Sequence, residues 1–394
     1  MKLKQQPEDF QVEELTDVTP GNQGPFAFYR LKKRGLTTPD AIEALRRRWR
    51  VNLRRISYGG LKDRHAQAVQ YLTIHRGPKQ DLTHRGLHVE YLGQVVEPYT
   101  SKHIRANRFR ITLREIQPEE IAGAQQALQE VGADGVPNYF DDQRFGSVGK
   151  QREFVARLMI LGRDEEALRL ALTEPYEGDR PPEKKEKAIL LSHWGDWLAA
   201  RAGLPRGHAP GPIDYLLNHP SDFHGALARL WPELRGLYLS AYQSYLWNKM
   251  LARWLEQLCR REQLVKFRLR LGEVPMHRNL DQDQRATMAG SSLPLPSARL
   301  KLEAADPHAG LTESVLAEEG FKLSDMKIKK MREPFFSKGD RAVLCLPENL
   351  TDETSADDLH PGLKKLITSF HLPRGSYATL IVKRIQASAG QKAE

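Results

Sequence analysis

Period-two alternation of apolar and polar residues marks the two ends of this chain, while helical spacing marks its middle. In "RFRITLRE" (108–115), Phe109, Ile111 and Leu113 alternate with Arg108, Arg110, Thr112 and Arg114. That is the pattern of a strand with one buried face and a basic outer face. Strand signals return near the C-terminus in "RAVLCLP" (341–347) and "KKLITSFHLPRGSYATLIVKRI" (364–385). Between the ends, Tyr242, Leu246, Met250, Trp254 and Leu258 recur every four residues and predict a helix over 239–258. "EGDRPPEKKEKA" (177–188) reads as an exposed connection, and 265–335 as shorter strands and turns. Strands from both ends that share one sheet must enclose whatever lies between them. The pattern therefore predicts an α+β domain built from both termini, with another domain inserted.

Two helices are expected in the first third. In "TTPDAIEALRRRW" (37–49), Thr38 is placed as N-cap, Pro39 at the first helical position and Asp40 in the first turn. Ile42, Leu45 and Trp49 form its apolar stripe. Residues 118–131 read as a second helix, stopped by Gly132.

Charge narrows the partner. The 394 residues carry a net charge of +10, and the excess is clustered. "RRRWRVNLRR" (46–55) holds six arginines and no acid. "SKHIRANRFRITLRE" (101–115) holds Lys102, Arg105, Arg108, Arg110 and Arg114. Either stretch alone is compatible with a solvated face. Two Arg-rich clusters in one third of the chain favour a nucleic acid, because guanidinium donates paired hydrogen bonds to phosphate. Cys259 and Cys345 are the only cysteines, which argues against a disulfide framework and fits a reducing cytoplasm. The thirteen histidines include no HExxH, so no metal site is expected. No apolar run approaches the ~18 residues of a membrane span, and "MKLKQQPEDF" lacks the apolar core of a signal peptide.

"GGLKDRHA" (59–66) sets Asp63 among Lys62, Arg64 and His65. A carboxylate held there could stay ionised and act as nucleophile or base. It reads equally as a turn aspartate in a solvated basic patch.

Six stretches together resemble the TruD family of tRNA pseudouridine synthases: "LKQQPEDFQVEE" (3–14), "GGLKDRHA" (59–66), "ANRFRITLRE" (106–115), "GVPNYFDDQRFG" (135–146), "LSAYQSYLWN" (239–248) and "LPRGSYATLIVKRI" (372–385). They stand in family order across nearly the whole chain. The resemblance implies a catalytic domain of pseudouridine-synthase type around a mixed, mainly antiparallel sheet, over about 1–155 and 340–394. It implies a TRUD insertion domain over about 156–339. The implied reaction turns a uridine of tRNA, at position 13 in the D arm, into pseudouridine.

The resemblance makes Asp63 the catalytic residue and Lys4 its cationic partner, since Lys62 and Arg64 would point away from it in an extended segment. Phe10, Phe140 and Tyr377 become stacking faces for the flipped uracil, and Asn138 a reader of its edge. Arg105, Arg108, Arg110 and Arg144 become candidates for the RNA backbone, although Arg144 could instead order its own loop. Two features depart from the family pattern: Tyr377 stands where many bacterial members have Phe, and Asp141 and Asp142 follow "NYF" where Gly is common. The aspartate pair itself reads as an exposed turn. Pseudouridine formation loses no group and changes no redox state, so neither metal nor organic cofactor is expected. The carboxylate attacks C1′ or takes a proton from C2′ to give a glycal; both routes stay open. The alternative is a non-catalytic RNA-binding or RNA-folding protein on the same fold.

Overall fold

The structure is a computed structural model that describes residues 1–205, 211–303, 306–328, 331 and 335–389. The chain divides into two compact units, one formed by Met1–Val136 with Cys345–Glu394 and the other by Pro137–Leu344.

The first unit is built on one ten-stranded sheet. Its strands are β1 (Lys2–Leu3), β2 (Phe10–Thr16), β3 (Phe26–Arg34), β4 (Ile56–Tyr58), β5 (Gln67–His75), β6 (Leu82–His84), β7 (Leu87–Val95), β8 (Ile104–Ile116), β9 (Glu348–Ala356) and β10 (Lys364–Pro373). The order is β9-β10-β8-β2-β5-β3-β7-β6, with β1 added to β8 and β4 to β5. The β2–β5 pair is parallel; the other pairings in this sheet are antiparallel. The sheet is thus mixed and mainly antiparallel, and the α+β class read from the alternation holds.

On one face, Ala27, Tyr29 and Leu31 of β3 pack with Leu72 and Ile74 of β5 and Leu87 and Val89 of β7. Helix α1 (Thr38–Trp49) closes this core with Ala41, Ile42 and Leu45. Each buried leucine or isoleucine contributes about 1.5–3 kcal/mol against its exposed state. The α1 cap is Thr37, one residue before the expected Thr38: the Thr37 hydroxyl accepts from the Asp40 amide, and Asp40 accepts back from the Thr37 amide. Thr38 is buried instead, its hydroxyl turned to Gln70.

Several local readings change in the structure. Helix α2 spans Ile121–Asp134, behind a single 3-10 turn at Pro118–Glu120. Gly132 lies inside it, where a Cβ would meet Leu350 Cδ2 of β9 at 3.0 Å. The helix stops at Gly135, whose φ of 66° suits glycine. In "LPRGSYATLIVKRI", β10 ends at Pro373 and a helix runs over Ala378–Ala389. Its β-branched run forms a helix because Leu380, Ile381, Val382 and Ile385 are buried and Arg384 pairs with Glu130 of α2.

In the second unit, "PPEKKEKAILLS" is a helix over Pro181–Ser192 and no mere connection, because Pro181 pre-sets its first turn and Glu183 bonds back to the Arg180 amide. The long helix runs over Pro232–Leu258, seven residues longer at its start than its apolar spacing suggests, with Pro232 in its first turn.

Arg114 departs most from the alternation. Its place in β8 continues the face of Arg108 and Arg110, yet it is only 3% exposed. Its guanidinium holds Asp9 at 2.8 Å, Asp357 at 2.8 Å and Asp358 at 3.0 Å. An arginine can be buried only with such partners.

Candidate active site

Asp63 lies in the loop joining β4 to β5, and every side of that loop is anchored. Gly59 lets the chain pass over the core: a Cβ there would stand 2.6 Å from Ile104 Cδ1 and 3.1 Å from the Tyr99 ring. The Gly60 carbonyl accepts from Gln70 Nε2 at 3.3 Å, and the Lys62 amide donates to Thr38 Oγ1 at 2.8 Å. Thr38 in turn donates to Gln70 Oε1 at 2.8 Å. These bonds close a buried network between the loop, α1 and β5, and they pin the backbone on both sides of Leu61.

The cations around Asp63 sort themselves by direction. Lys62 reaches down to the sheet, with Nζ 2.7 Å from Asn107 Oδ1 and 3.1 Å from Glu14 Oε1. The Glu14 contact is close in distance but not aligned as a hydrogen bond. Arg64 turns outward to Asp40 at 2.8 Å. Lys4 takes the Asp63 carboxylate, Nζ to Oδ2, at 3.1 Å. Lys4 sits at φ 58°, a left-handed conformation that costs energy for a side-chain-bearing residue and belongs at positions the surroundings dictate. The Asp63 side chain keeps 41% of its surface exposed and Lys4 21%, so the carboxylate is oriented yet open to a ligand.

Phe10 belongs to the same group. Its ring lies under the Lys4 ammonium at 4.2 Å and edge-on to Phe109 at 6.0 Å. At 6% exposure it packs into the core while one face carries the cation. Tyr377 differs. It stands half-exposed directly before the helix Ala378–Ala389, after a turn in which Gly375 has φ 84°. Its carbonyl accepts from the Leu380 amide at 3.1 Å, which fixes the backbone.

The second unit holds the "NYF" loop. Asn138 is 5% exposed, and its amide is used at both ends. Oδ1 accepts from Arg341 at 2.8 Å, and Nδ2 donates to the Ala342 carbonyl at 3.0 Å. Arg341 also donates to the Asn138 carbonyl at 2.9 Å. Its guanidinium lies 4.1 Å over the Phe140 ring and 5.3 Å over Trp247. Phe140, 7% exposed, meets Trp247 edge-on at 5.5 Å. Asn248 binds the Phe140 backbone as a second strand would, accepting from its amide and donating to its carbonyl at 2.8 Å each. In this geometry Asn138 orders the loop; reading a uracil edge would require Arg341 and Ala342 to release its amide.

The aspartates that follow do not form an exposed turn. Asp141 is buried, and Asp142 accepts from the Arg270 amide at 2.8 Å. Arg144 is turned inward, donating to Ser240 Oγ at 2.8 Å with its guanidinium 5.2 Å from the Phe140 ring.

Arg341, Asn248 and Lys33 carried no signal at the sequence level. Arg341 lies 203 residues from Asn138, and Asn248 lies in the predicted long helix but outside its apolar row. Lys33, whose ammonium meets the Asp63 carbonyl, falls within an ordinary strand pattern.

Of the remaining candidates, Arg105, Arg108 and Arg110 are exposed on β8. Arg105 stands 3.8 Å from Asp17. Arg108 is shared with Glu13 at 3.4 Å and His371 at 3.2 Å. Arg110 forms no ion pair among the described residues. In the other Arg-rich stretch, Arg46 and Arg47 lie on Glu43, and Arg55 donates to the carbonyls of His75 and Arg76. Among the described residues no three His, Cys, Asp or Glu side chains gather as a metal site, and no helix is long and apolar enough to cross a membrane.

Comparison with known proteins gives this arrangement its context. The family model for tRNA pseudouridine synthase D (TruD) matches residues 1–385. The protein named probable tRNA pseudouridine synthase D 1 of Methanococcus maripaludis is 29% identical over 391 residues, 98% of this chain and 99% of the relative. The probable tRNA pseudouridine synthase D 2 of Methanocaldococcus jannaschii is 30% identical over 392 residues, 98% of this chain and 91% of the relative. The crystal structure of a protein described as tRNA pseudouridine synthase D (TruD), from Methanosarcina mazei, superposes with a TM-score of 0.70 at 27% identity, covering 99% of this chain and 93% of that one. A match of this extent, on a chain whose six stretches stand in family order, leaves one assignment: the chain belongs to the tRNA pseudouridine synthase D (TruD) family of isomerases.

Proposed function

We propose that this chain converts a uridine of tRNA, position 13 of the D arm, to pseudouridine, with Asp63 as its catalytic carboxylate. The observation that carries the reading is the exposed Asp63 carboxylate held 3.1 Å from Lys4 on a loop whose backbone is anchored from α1, β3 and β5. The reaction breaks the C1′–N1 bond and forms C1′–C5; C5 loses its proton and N1 gains one. An ionised carboxylate serves either route into this exchange, attack at C1′ or removal of the C2′ proton. Lys4 orients the carboxylate through its hydrogen bond at 3.1 Å.

The base must leave its stack to meet Asp63, at a cost of a few kcal/mol. Stacking on an aromatic face offsets this by about 1–3 kcal/mol. Phe10 and Phe140 are buried within the protein, while Tyr377 is half-exposed, so Tyr377 is the residue proposed to receive the uracil. Arg108 and Arg110 are proposed to meet the phosphate backbone, Arg110 the more strongly because no carboxylate among the described residues shares it. Arg105 remains a candidate at the strand end. Arg144 is proposed to order the NYF loop, since its guanidinium points inward.

The deciding experiment is chemical mapping of pseudouridine in unmodified tRNA transcripts incubated with the purified protein. Conversion at position 13 is the expected result. Conversion elsewhere in tRNA would overturn the site assignment, and tight binding without conversion would leave a non-catalytic RNA-binding protein.

Tyr377 allows a separate test. Tyr377→Phe keeps the ring and removes only the hydroxyl, and it is expected to keep most of the turnover. Tyr377→Ala removes the stacking face, roughly a 5- to 150-fold loss if the full stacking energy is felt in the transition state. Single-turnover rates on the same tRNA check this. A severe defect in the Phe variant would give the hydroxyl a direct part in proton transfer.

A further inference from the structure

The inward-facing row of β3 runs Ala27, Tyr29, Leu31, Lys33. The first three form the core beneath α1, where a fourth apolar side chain would be the natural continuation. Lysine stands there instead, 1% exposed. Among the described residues its ammonium forms no ion pair within 4 Å. It donates to two backbone carbonyls, Leu36 O at 2.7 Å and Asp63 O at 2.6 Å. A buried, unpaired ammonium is among the most costly groups a core can hold. Its use here is specific: it ties the start of the β3–α1 connection to the peptide group of Asp63 itself.

We propose that Lys33 is a positioning residue for catalysis, holding the Asp63 peptide so that the carboxylate meets the flipped nucleotide in one orientation. Lys33 does not touch the substrate in this role; it acts through Asp63. The proposal rests on Asp63 being the catalytic carboxylate.

Three independent features fit. The Asp63 loop is anchored by Gln70 at Gly60 and by Thr38 at Lys62, so Lys33 supplies the third backbone anchor, at the residue that matters most. Both of its bonds end on backbone carbonyls, so its charge is spent on chain geometry and not on a surface contact. The charged groups that face it are Asp63 and Lys62 of the loop and Asp40 of α1; burial pushes the ammonium down to about 8, and the Asp63 charge opposes that shift.

Lys33→Met keeps the side chain's length and removes its donors. With saturating tRNA, kcat is expected to fall roughly 10- to 100-fold, the scale of a misplaced catalytic group. KM for tRNA is expected to stay within about threefold, because backbone contacts elsewhere provide most of the affinity. Should Lys33→Met fail to fold, Lys33→Gln is read instead, since its shorter uncharged side chain falls short of the Asp63 carbonyl. A kcat within about threefold of wild type, in whichever variant folds, overturns the proposal. So does a fall in kcat fully accounted for by loss of folded protein, measured by circular dichroism on the same sample; Lys33 is then a structural lysine only. Asp63→Asn run alongside separates the two claims. If it stays active, the catalytic reading of Asp63 fails; if it is inactive while Lys33→Met is normal, only the positioning role fails.

Discussion

Asp63→Asn will bind tRNA with near-wild-type affinity and form no measurable pseudouridine. The substitution preserves shape and removes one negative charge. It also deprives Lys4 of its carboxylate partner at 3.1 Å. That pair is more than one-third exposed on the aspartate side, so its loss costs the fold little, within the ~0–1 kcal/mol of solvent-facing pairs. On the proposed reading the chemical step loses the carboxylate that acts as nucleophile or base under either route. Removing a covalent or general-base catalyst costs at least 10²–10⁴-fold, and more where no second group can substitute. Binding and turnover are therefore expected to separate, with filter binding unchanged and a tritium-release or mapping assay at background. Retention of more than a few per cent of wild-type turnover would remove Asp63 from the reaction.

Arg114→Leu will destabilise the first unit by about 3–5 kcal/mol at neutral pH, the cost of breaking a buried ion pair from one side. The reason lies in what remains. Asp9 is 1% exposed and Asp357 is 5% exposed, and both would face the low-dielectric interior without their shared cation. The pH dependence carries a sign. Burial raises the Asp357 carboxyl, but the amides of Glu115 and Leu359 and the Arg114 guanidinium outweigh it, and the net position lies below the usual carboxylate range. A carboxyl depressed in the folded state contributes stability that is present above its unfolded value, about 3.9, and lost as pH falls through the lower folded value. Wild type is thus expected to lose this contribution only in strong acid. The gap between wild type and Arg114→Leu should narrow below about pH 4, because protonation discharges the orphaned carboxylates. Urea unfolding of both proteins between pH 3 and 7 measures this. A variant as stable as wild type at pH 7 would show that the cluster carries no net stability, as some buried ion networks do not.

These two residues show how far a sequence can be read. Arg114 and Asp63 both lie in charged stretches, and both admitted a bland interpretation as solvated surface. The alternation of "RFRITLRE" placed Arg114 with Arg108 and Arg110 on one face, and the strand register does so too. Arg108 and Arg110 remain exposed there. Arg114 is covered because Asp9 and Asp357 reach it from 105 and 243 residues away. No local period can report such partners. The same holds for "TLIVKRI": its β-branched run resembles a strand, and burial against α2 makes it a helix.

Where interactions are short-range, the residues alone were enough. The α+β class follows from alternation at both ends of the chain, because a two-residue period commits one face of a strand to a core; the mainly antiparallel sheet was implied by the family resemblance. Helix α1 follows from its proline, its capping aspartate and its apolar stripe, with its cap displaced by one residue because Thr38 was drawn into the buried bond with Gln70. Family membership was also legible, since six ordered stretches span nearly the whole chain. Tertiary structure decided what each charge does. It set Lys4 against Asp63 across 59 residues and turned Lys62 down to Glu14 and Asn107. It closed Asn138 with Arg341 across 203 residues, and it placed Lys33 beneath the Asp63 peptide. Apolar burial is non-directional and leaves a periodic trace in the sequence, whereas a hydrogen bond or ion pair depends on distance and angle, which exist only after the chain has folded.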